Sequence, residues 1–573
     1  MKARWTSRIG AGFALLAATM LPAAAQEGLA GSYLAASQAD LRNDFAAASR
    51  YYDDAIQVRP DNPGLLNNGL VTGIITGRMT RALALAGRLQ QIDPNNQIVA
   101  LARLAEAFRA EDYDLALRLI QNDSYQLNPL FTELIEGWAI VGQGDFGAAV
   151  DIFQGMDGNS ALVAYGALHH ALAVAFAGDF ASAAAILDGD GDGPLHLNRI
   201  ALLTHIVALA QAERTDEALA RIEDALEGGF DDPDLLAMQA RLEAGEDLSF
   251  DQIRNAADGA ASVFALMASA LTREDAERLG LIYGRLATHI RPAYDEMTTL
   301  IGDTFARQGQ FDLAAMAYEE VAPSSAWYVS AEIGRADALR DADRVDEAVE
   351  VLSSLSRERP GTQSVYVALG DTLRGSEDFE RAAEAYTRAI DLIVTEAQPQ
   401  WRLYYVRGIT YERTGRWPEA EADFRKALEL NPDQPNVLNY LGYSLVEMRQ
   451  NLEEAQSMIE RAVAQRPQDG FITDSLAWVL YRLGKYEEAV VPMERAVELE
   501  PLDPIINDHL GDVLWKVGRK TEAVFQWRRA LSFEPTETDA ARIRRKLEVG
   551  LDVVLEEEEA EAAGADAETA LGD

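Results

Sequence analysis

Along "DSLAWVLYRLGKYEEAVVPMERAVELEP" (474–501), apolar and charged residues alternate with a helical period that is interrupted once, at "RLGKY". The pattern predicts two amphipathic helices joined by a tight turn around Gly484. The same arrangement recurs. Pro432, Pro467, Pro501 and Pro535 stand 34 or 35 residues apart, and each closes an apolar helix: "ALELNP", "AVAQRP", "AVELEP" and "ALSFEP". A small residue lies at a constant offset upstream of each, allowing for one inserted residue (Gly408, Gly442, Ala477 and Gly511), and Ala420, Ala455, Ala489 and Ala523 mark each second helix. Small residues at fixed places let two helices approach closely, while Leu441, Leu445, Leu476, Leu480, Leu510 and Leu514 fill the seam. One such pair cannot bury its apolar face alone, so the period predicts stacked helical hairpins.

The best-formed unit, "WRLYYVRGITYERTGRWPEAEADFRKALELNP", carries Gly408, Tyr411, Gly415, Trp417, Ala420, Phe424, Ala427 and Pro432 at the positions of a known repeat. In these residues the chain resembles the tetratricopeptide repeat (TPR) family. The same frame returns at "YLAASQADLRNDFAAASRYYDDAIQVRP", "GWAIVGQGDFGAAVDIF", "IGDTFARQGQFDLAAMAYEEV" and "VALGDTLRGSEDFERAAEAYTRAI", among others. The resemblance implies an all-α fold, a right-handed TPR superhelical solenoid of about 14–15 helix-turn-helix repeats between residues 29 and 537.

The array is uneven. Residues 26–232 are expected to form an N-terminal block and residues 293–537 a C-terminal block. Between them, 233–292 hold one good helix and then only a loose version of the frame, which reads as a soft boundary. Pro418 falls in the first turn of its helix, where a missing N–H costs nothing, whereas Pro492 lies inside one and is expected to kink it. Residues 538–555 read as a capping helix. The acidic stretch 556–573 lacks the apolar surface to order itself and is expected to be disordered.

Lys2, Arg4 and Arg8 precede the apolar run "IGAGFALLAATML" and an A-x-A site ending at Ala25, the pattern of a secretory signal peptide over 1–25. That run is shorter than the roughly 20 residues of a membrane span, and no later segment is apolar enough to be one. The expected product is a freely soluble periplasmic protein. With no Cys in the chain, neither a disulfide nor a lipid-modified cysteine is available. A formal net charge of −42 repels phosphate backbones and anionic membranes, which argues against a nucleic-acid partner. The basic run Arg542, Arg544, Arg545 and Lys546 is accordingly read as a local feature of the capping helix facing the acidic tail.

Candidate chemistry is sparse. "DGDGDG" (188–193) resembles the start of a calcium loop, but its twelfth position is Arg199 and Pro194 interrupts it, so a turn is favoured. His169 and His170 are adjacent and diverge by about 100° on a helix, too far apart to chelate one metal. No Gly-rich phosphate loop or H-E-x-x-H is present, and neither an enzyme nor a cofactor is expected.

The remaining signal lies on the first helix of each C-terminal repeat, where some side chains project away from the hairpin seam. These are Arg402, Tyr405 and Ile409, then Asn439, Tyr443 and Val446, then Asp474, Trp478 and Tyr481, then Asp508, Asp512 and Trp515. The family resemblance implies that this side lines a concave groove for partner peptides. Aromatic rings with polar tips beside Asn and Arg suit such a surface. The alternative is that the rings pack against the adjacent first helix. The last third also looks like periplasmic TPR proteins of Gram-negative bacteria, some of which are adaptors for carboxy-terminal processing proteases. Such adaptors are typically lipoproteins, which this Cys-free chain cannot match. The expected function is therefore a non-enzymatic protein-interaction scaffold. Protease adaptor and scaffold for cell-envelope or exopolysaccharide assembly are its two forms.

Overall fold

A computed structural model describes residues 29–156, 160–189, 198–227, 232–273, 276–393 and 400–569. The signal-peptide pattern at 1–25 and most of "DGDGDG" lie outside them. Among the described residues there are 31 α-helices, one short 3-10 turn and no strand. The fold is all-α and is built from antiparallel hairpins, as the period requires.

The elements start and stop where local chemistry dictates. Asn62–Pro63, Asn128–Pro129, Asp232–Pro233 and Asp503–Pro504 each supply a side-chain cap followed by a proline in the first turn, where no N–H is needed. The turn inside most of the hairpins holds a left-handed residue. Gly415 (φ +74°) and Gly484 (φ +75°) adopt it without strain, and Glu377 (φ +64°) takes the same place elsewhere. The fixed small residue of the first helix faces a bulky one on the second. A Cβ on Gly408 would lie 2.7 Å from the Phe424 ring, and one on Gly370 would lie 2.6 Å from the Tyr386 ring. Pro418 sits in the first turn of Trp417–Leu430, and the helix Tyr486–Leu499 contains Pro492 without being divided by it.

The described residues cluster into two compact units, divided between Leu355 and Ser356. This division does not fall at the soft boundary expected over 233–292. The helix Pro233–Glu243 is followed by an irregular stretch, and the helices Ala256–Arg273 and Glu277–Ile290 then turn back. They pack against Pro63–Ile75, Gln97–Arg109 and Pro129–Gly142, the first helices of early repeats in the same unit. The loosened repeat frame at 257–292 marks this return.

In the second unit, the hairpins of 363–391, 401–430, 435–465, 470–499 and 504–531 stack in sequence, and the last four share one apolar core. The capping segment is two helices, Glu537–Val549 and Leu551–Thr569, with Gly550 (φ +86°) between them. The acidic stretch is helical to Thr569 rather than disordered. Glu and Ala are strong helix formers, and Glu557 and Glu558 pair with Arg545 and Arg542 of the preceding helix.

Candidate protein-binding surface

The inner face of the second unit is made by the helices Trp401–Arg413, Pro435–Glu447, Gly470–Arg482 and Pro504–Lys516. At one end, Arg402 is exposed and Tyr405 is half-buried, its ring centroid 6.0 Å from those of Trp401 and Tyr440. Asn439 and Tyr443 are half-buried on the next helix. Burial raises the Tyr443 hydroxyl pKa, and the charges of Glu447 and Asp474 add to the effect.

Six of the other candidates are not open to solvent, among them Val446 at 0%. Trp478 is 6% exposed, Tyr481 7%, Asp474 and Asp508 6%, and Asp512 0%. Of the two readings, packing against an adjacent first helix is the one that holds for Trp478, because successive first helices lie side by side. Asp474, Trp478 and Asp508 meet the following repeat, whereas Tyr481 and Asp512 also touch the second helix of their own hairpin, at Tyr486 (5.3 Å) and at Trp527 Nε1, which donates to Asp512 Oδ1 at 2.9 Å. Trp478 stacks on Tyr481 (4.7 Å, 6°) and, on its other flank, on His509 of the following first helix (3.9 Å, 13°). Its Nε1–H donates to Glu447 Oε1 at 2.6 Å. Trp515 is half-buried, close to Trp527 (5.2 Å), and donates from Nε1 to Asp552 Oδ2 at 2.9 Å.

His509 and Lys546 complete this wall, neither identified as part of it from the sequence. His509 Nδ1 lies 3.0 and 3.1 Å from the two Asp474 oxygens. Burial lowers the imidazole pKa, but Asp474, with Asp508 and Asp512, outweighs it and holds His509 above its ordinary value. Lys546, 1% exposed, donates to Asp508 Oδ2 at 2.7 Å and to both Asp512 oxygens at 2.7 and 2.8 Å. Burial pushes the Asp508 carboxyl up, and Asp512 adds to this, while Lys546 opposes it. Repeat spacing was the available signal. His509 is 35 residues beyond Asp474 and Lys546 is 34 beyond Asp512, one period in each case.

The rest of the basic run is likewise paired: Arg542 with Glu558, Asp508 and Asp512, Arg544 with Glu537, and Arg545 with Glu557. Lys546 bridges Asp508 Oδ2 and both Asp512 oxygens, while Asp508 Oδ1 is buried without a hydrogen-bond partner. Among the described residues no group of three or more His, Asp or Glu is placed to hold a metal ion. His169 accepts from Trp138 Nε1 at 2.9 Å, and burial pushes its pKa down to about 3. His170 faces Gln154 instead. Among the described residues no helix is long and apolar enough to cross a membrane.

Fold and surface together define a helical-repeat scaffold protein. The tetratricopeptide repeat profile matches six overlapping stretches: 299–362, 333–400, 367–435, 405–470, 439–504 and 475–533. Over residues 299–533 the chain carries tetratricopeptide repeats. A TPR repeat-containing protein of Pseudomonas aeruginosa is 29% identical over 169 residues, 29% of this chain and 28% of the relative. Tetratricopeptide repeat protein 13 of Homo sapiens is 29% identical over 163 residues, 28% of this chain and 18% of that protein. The human protein O-mannosyl-transferase TMTC1 is 21% identical over 182 residues, 32% of this chain and 20% of that enzyme. The matches thus span less than a third of these relatives' own length. Among solved structures, the Cut9–Hcn1 hetero-tetramer of the APC/C is 15% identical, covering 91% of this chain and 96% of that one at a TM-score of 0.36. Yeast Tom70 is 13% identical, covering 91% and 95% at 0.32.

Proposed function

We propose that this chain is an exported, non-enzymatic adaptor that holds a segment of a partner protein against the inner face of its C-terminal repeats. Arg402, Tyr405, Asn439 and Tyr443 make the contact. Asp474, Trp478, Tyr481, Asp508 and Asp512 stiffen the wall from beneath, and Trp515 stands at its capped end. The observation that carries the reading is the pairing of accessible aromatic and polar side chains on two successive first helices with a neighbouring layer that is locked by stacking and ion pairs. Preorganised rings with polar tips suit peptide recognition, because little side-chain freedom is lost on binding.

Export rests on the cationic, apolar and A-x-A pattern of residues 1–25. The partner class, a carboxy-terminal processing protease or its envelope substrates, rests on the resemblance of the last third to periplasmic adaptors.

Site-specific photo-crosslinking tests the surface. A benzophenone side chain at Tyr443 should trap one discrete periplasmic partner, and one at Val491, which is exposed on a second helix, should not. Tyr443→Ala should weaken affinity for the trapped protein by about 2 kcal/mol. Equal capture from both positions, or unchanged affinity, would sink this reading.

A further inference from the structure

The first unit has an inner face of its own, made by the first helices Pro63–Ile75, Gln97–Arg109 and Pro129–Gly142. A segment of the same chain lies on it. The helices Ala256–Arg273 and Glu277–Ile290 form a hairpin that packs against all three.

The contact is apolar at its centre and ionic at its edges. Phe131 meets Phe264 edge-on (5.0 Å, 89°) and Tyr283 (5.6 Å), and all three are buried. The hairpin's first helix carries Ala256, Ala257, Gly259, Ala260 and Ala261, so its backbone lies close to the wall: a Cβ on Gly259 would fall 2.1 Å from the Trp138 indole. At the edge, Arg278 forks onto Asp40 (2.6 and 3.2 Å). Arg285 donates to the Ile75 carbonyl (3.3 Å), and His289 lies 2.7 Å from Glu106 and 2.9 Å from Arg109. These contacts join residues some 120 to 240 positions apart, far beyond the nearest-neighbour contacts of a simple repeat array.

We infer that the hairpin 256–290 is the resident ligand of the N-terminal inner face, a small-residue-rich helical pair supplied by the chain itself. The N-terminal face is thereby committed to an internal occupant, and partner binding is left to the C-terminal face. This assignment builds on the adaptor reading above but is tested separately from it, because occupancy is measured without a partner.

The experiment is hydrogen exchange on the full chain. In the wild type, amides of the hairpin helices should exchange as slowly as those of Gln97–Arg109 and Pro129–Gly142, within about threefold. Gly259→Leu should drive the hairpin off Trp138 and speed exchange of the hairpin and of Pro129–Gly142 together by at least tenfold. A fluorescein-labelled synthetic peptide of residues 256–290 should then bind this variant at least tenfold more tightly than the wild type. Should Gly259→Leu fail to fold, Arg278→Asp should loosen the hairpin edge, and adding Asp40→Arg should restore its protection. Hairpin amides exchanging tenfold faster than the helices beneath them in the wild type would overturn the inference. So would unchanged protection in both variants, or equal binding of the peptide to variant and wild type. A protected hairpin with no partner trapped at Tyr443 would refute the adaptor reading alone.

Discussion

His509 has its ring against Trp478 and its Nδ1 between the oxygens of Asp474, so its charge state is tied to folding. Its pKa is raised in the folded chain above the ordinary 6.5. The protonated form is thus favoured by folding. Its stabilising effect is fully present below pH 6.5 and is lost as pH rises through the folded-state value. Asp474→Asn removes the nearest opposing charge, so the gap in melting temperature between wild type and variant should be widest near pH 6 and narrow toward pH 9. A gap that widens with pH would refute this. His169 has the opposite sign: its pKa is pushed down to about 3 by burial, so its contribution is present above pH 6.5 and is lost as pH falls below it. Trp478→Ala should cost about 3–5 kcal/mol in chemical denaturation, as buried aromatic truncations do. Phe471→Ala on the same helix, 54% exposed, should stay within about 0.5 kcal/mol. The sequence was enough to place Asp474, Trp478 and Tyr481 on one side of a helix. Their burial was not legible there, because it depends on which residue of the next repeat stands opposite.

At the scale of the element, the hairpins were almost wholly legible, since small, bulky and turn residues recur at fixed offsets. Gly408 and Gly415 serve this pattern for different reasons. A Cβ on Gly408 runs into Phe424, which is fully buried, whereas Gly415 has open space around it but a φ of +74°. Gly408→Ala should cost about 1–3 kcal/mol by overpacking, and Phe424→Leu in the same chain should recover part of that. Gly415→Ala should cost about 1–2 kcal/mol through its backbone conformation, and Phe424→Leu should not relieve it. Denaturant titration of the two double variants separates the causes. The hairpin Ala256–Ile290 was legible as helices but not as an occupant of the inner face, since its partners at Asp40, Glu106 and Phe131 share no periodic relation with it. The acidic helix was missed for a related reason: apolar content was weighed, but the anchoring of Glu557 and Glu558 by Arg545 and Arg542 comes from a neighbouring element.

At the scale of the whole molecule, a repeat array needs its open end closed, because the last hairpin has no neighbour to cover it. Here the closure is electrostatic as well as apolar. Lys546 reaches Asp508 and Asp512 with its ammonium fully enclosed, in a chain whose formal charge is −42. Such a buried cluster adds little net stability when intact, but removing one partner leaves an uncompensated charge. Lys546→Met should therefore cost about 3–5 kcal/mol, and adding Asp508→Asn and Asp512→Asn should restore much of it by removing the stranded carboxylates. Because neighbouring hairpins stabilise one another, the loss in Lys546→Met should be graded along the second unit. Hydrogen exchange should accelerate most in Pro504–Lys516 and Lys520–Leu531, less in Gly470–Arg482, and least in Gln363–Gly375. If protection fell equally in all four helices, the unit would unfold as a single block. If it did not fall at all, Lys546 would be a passenger in the cap.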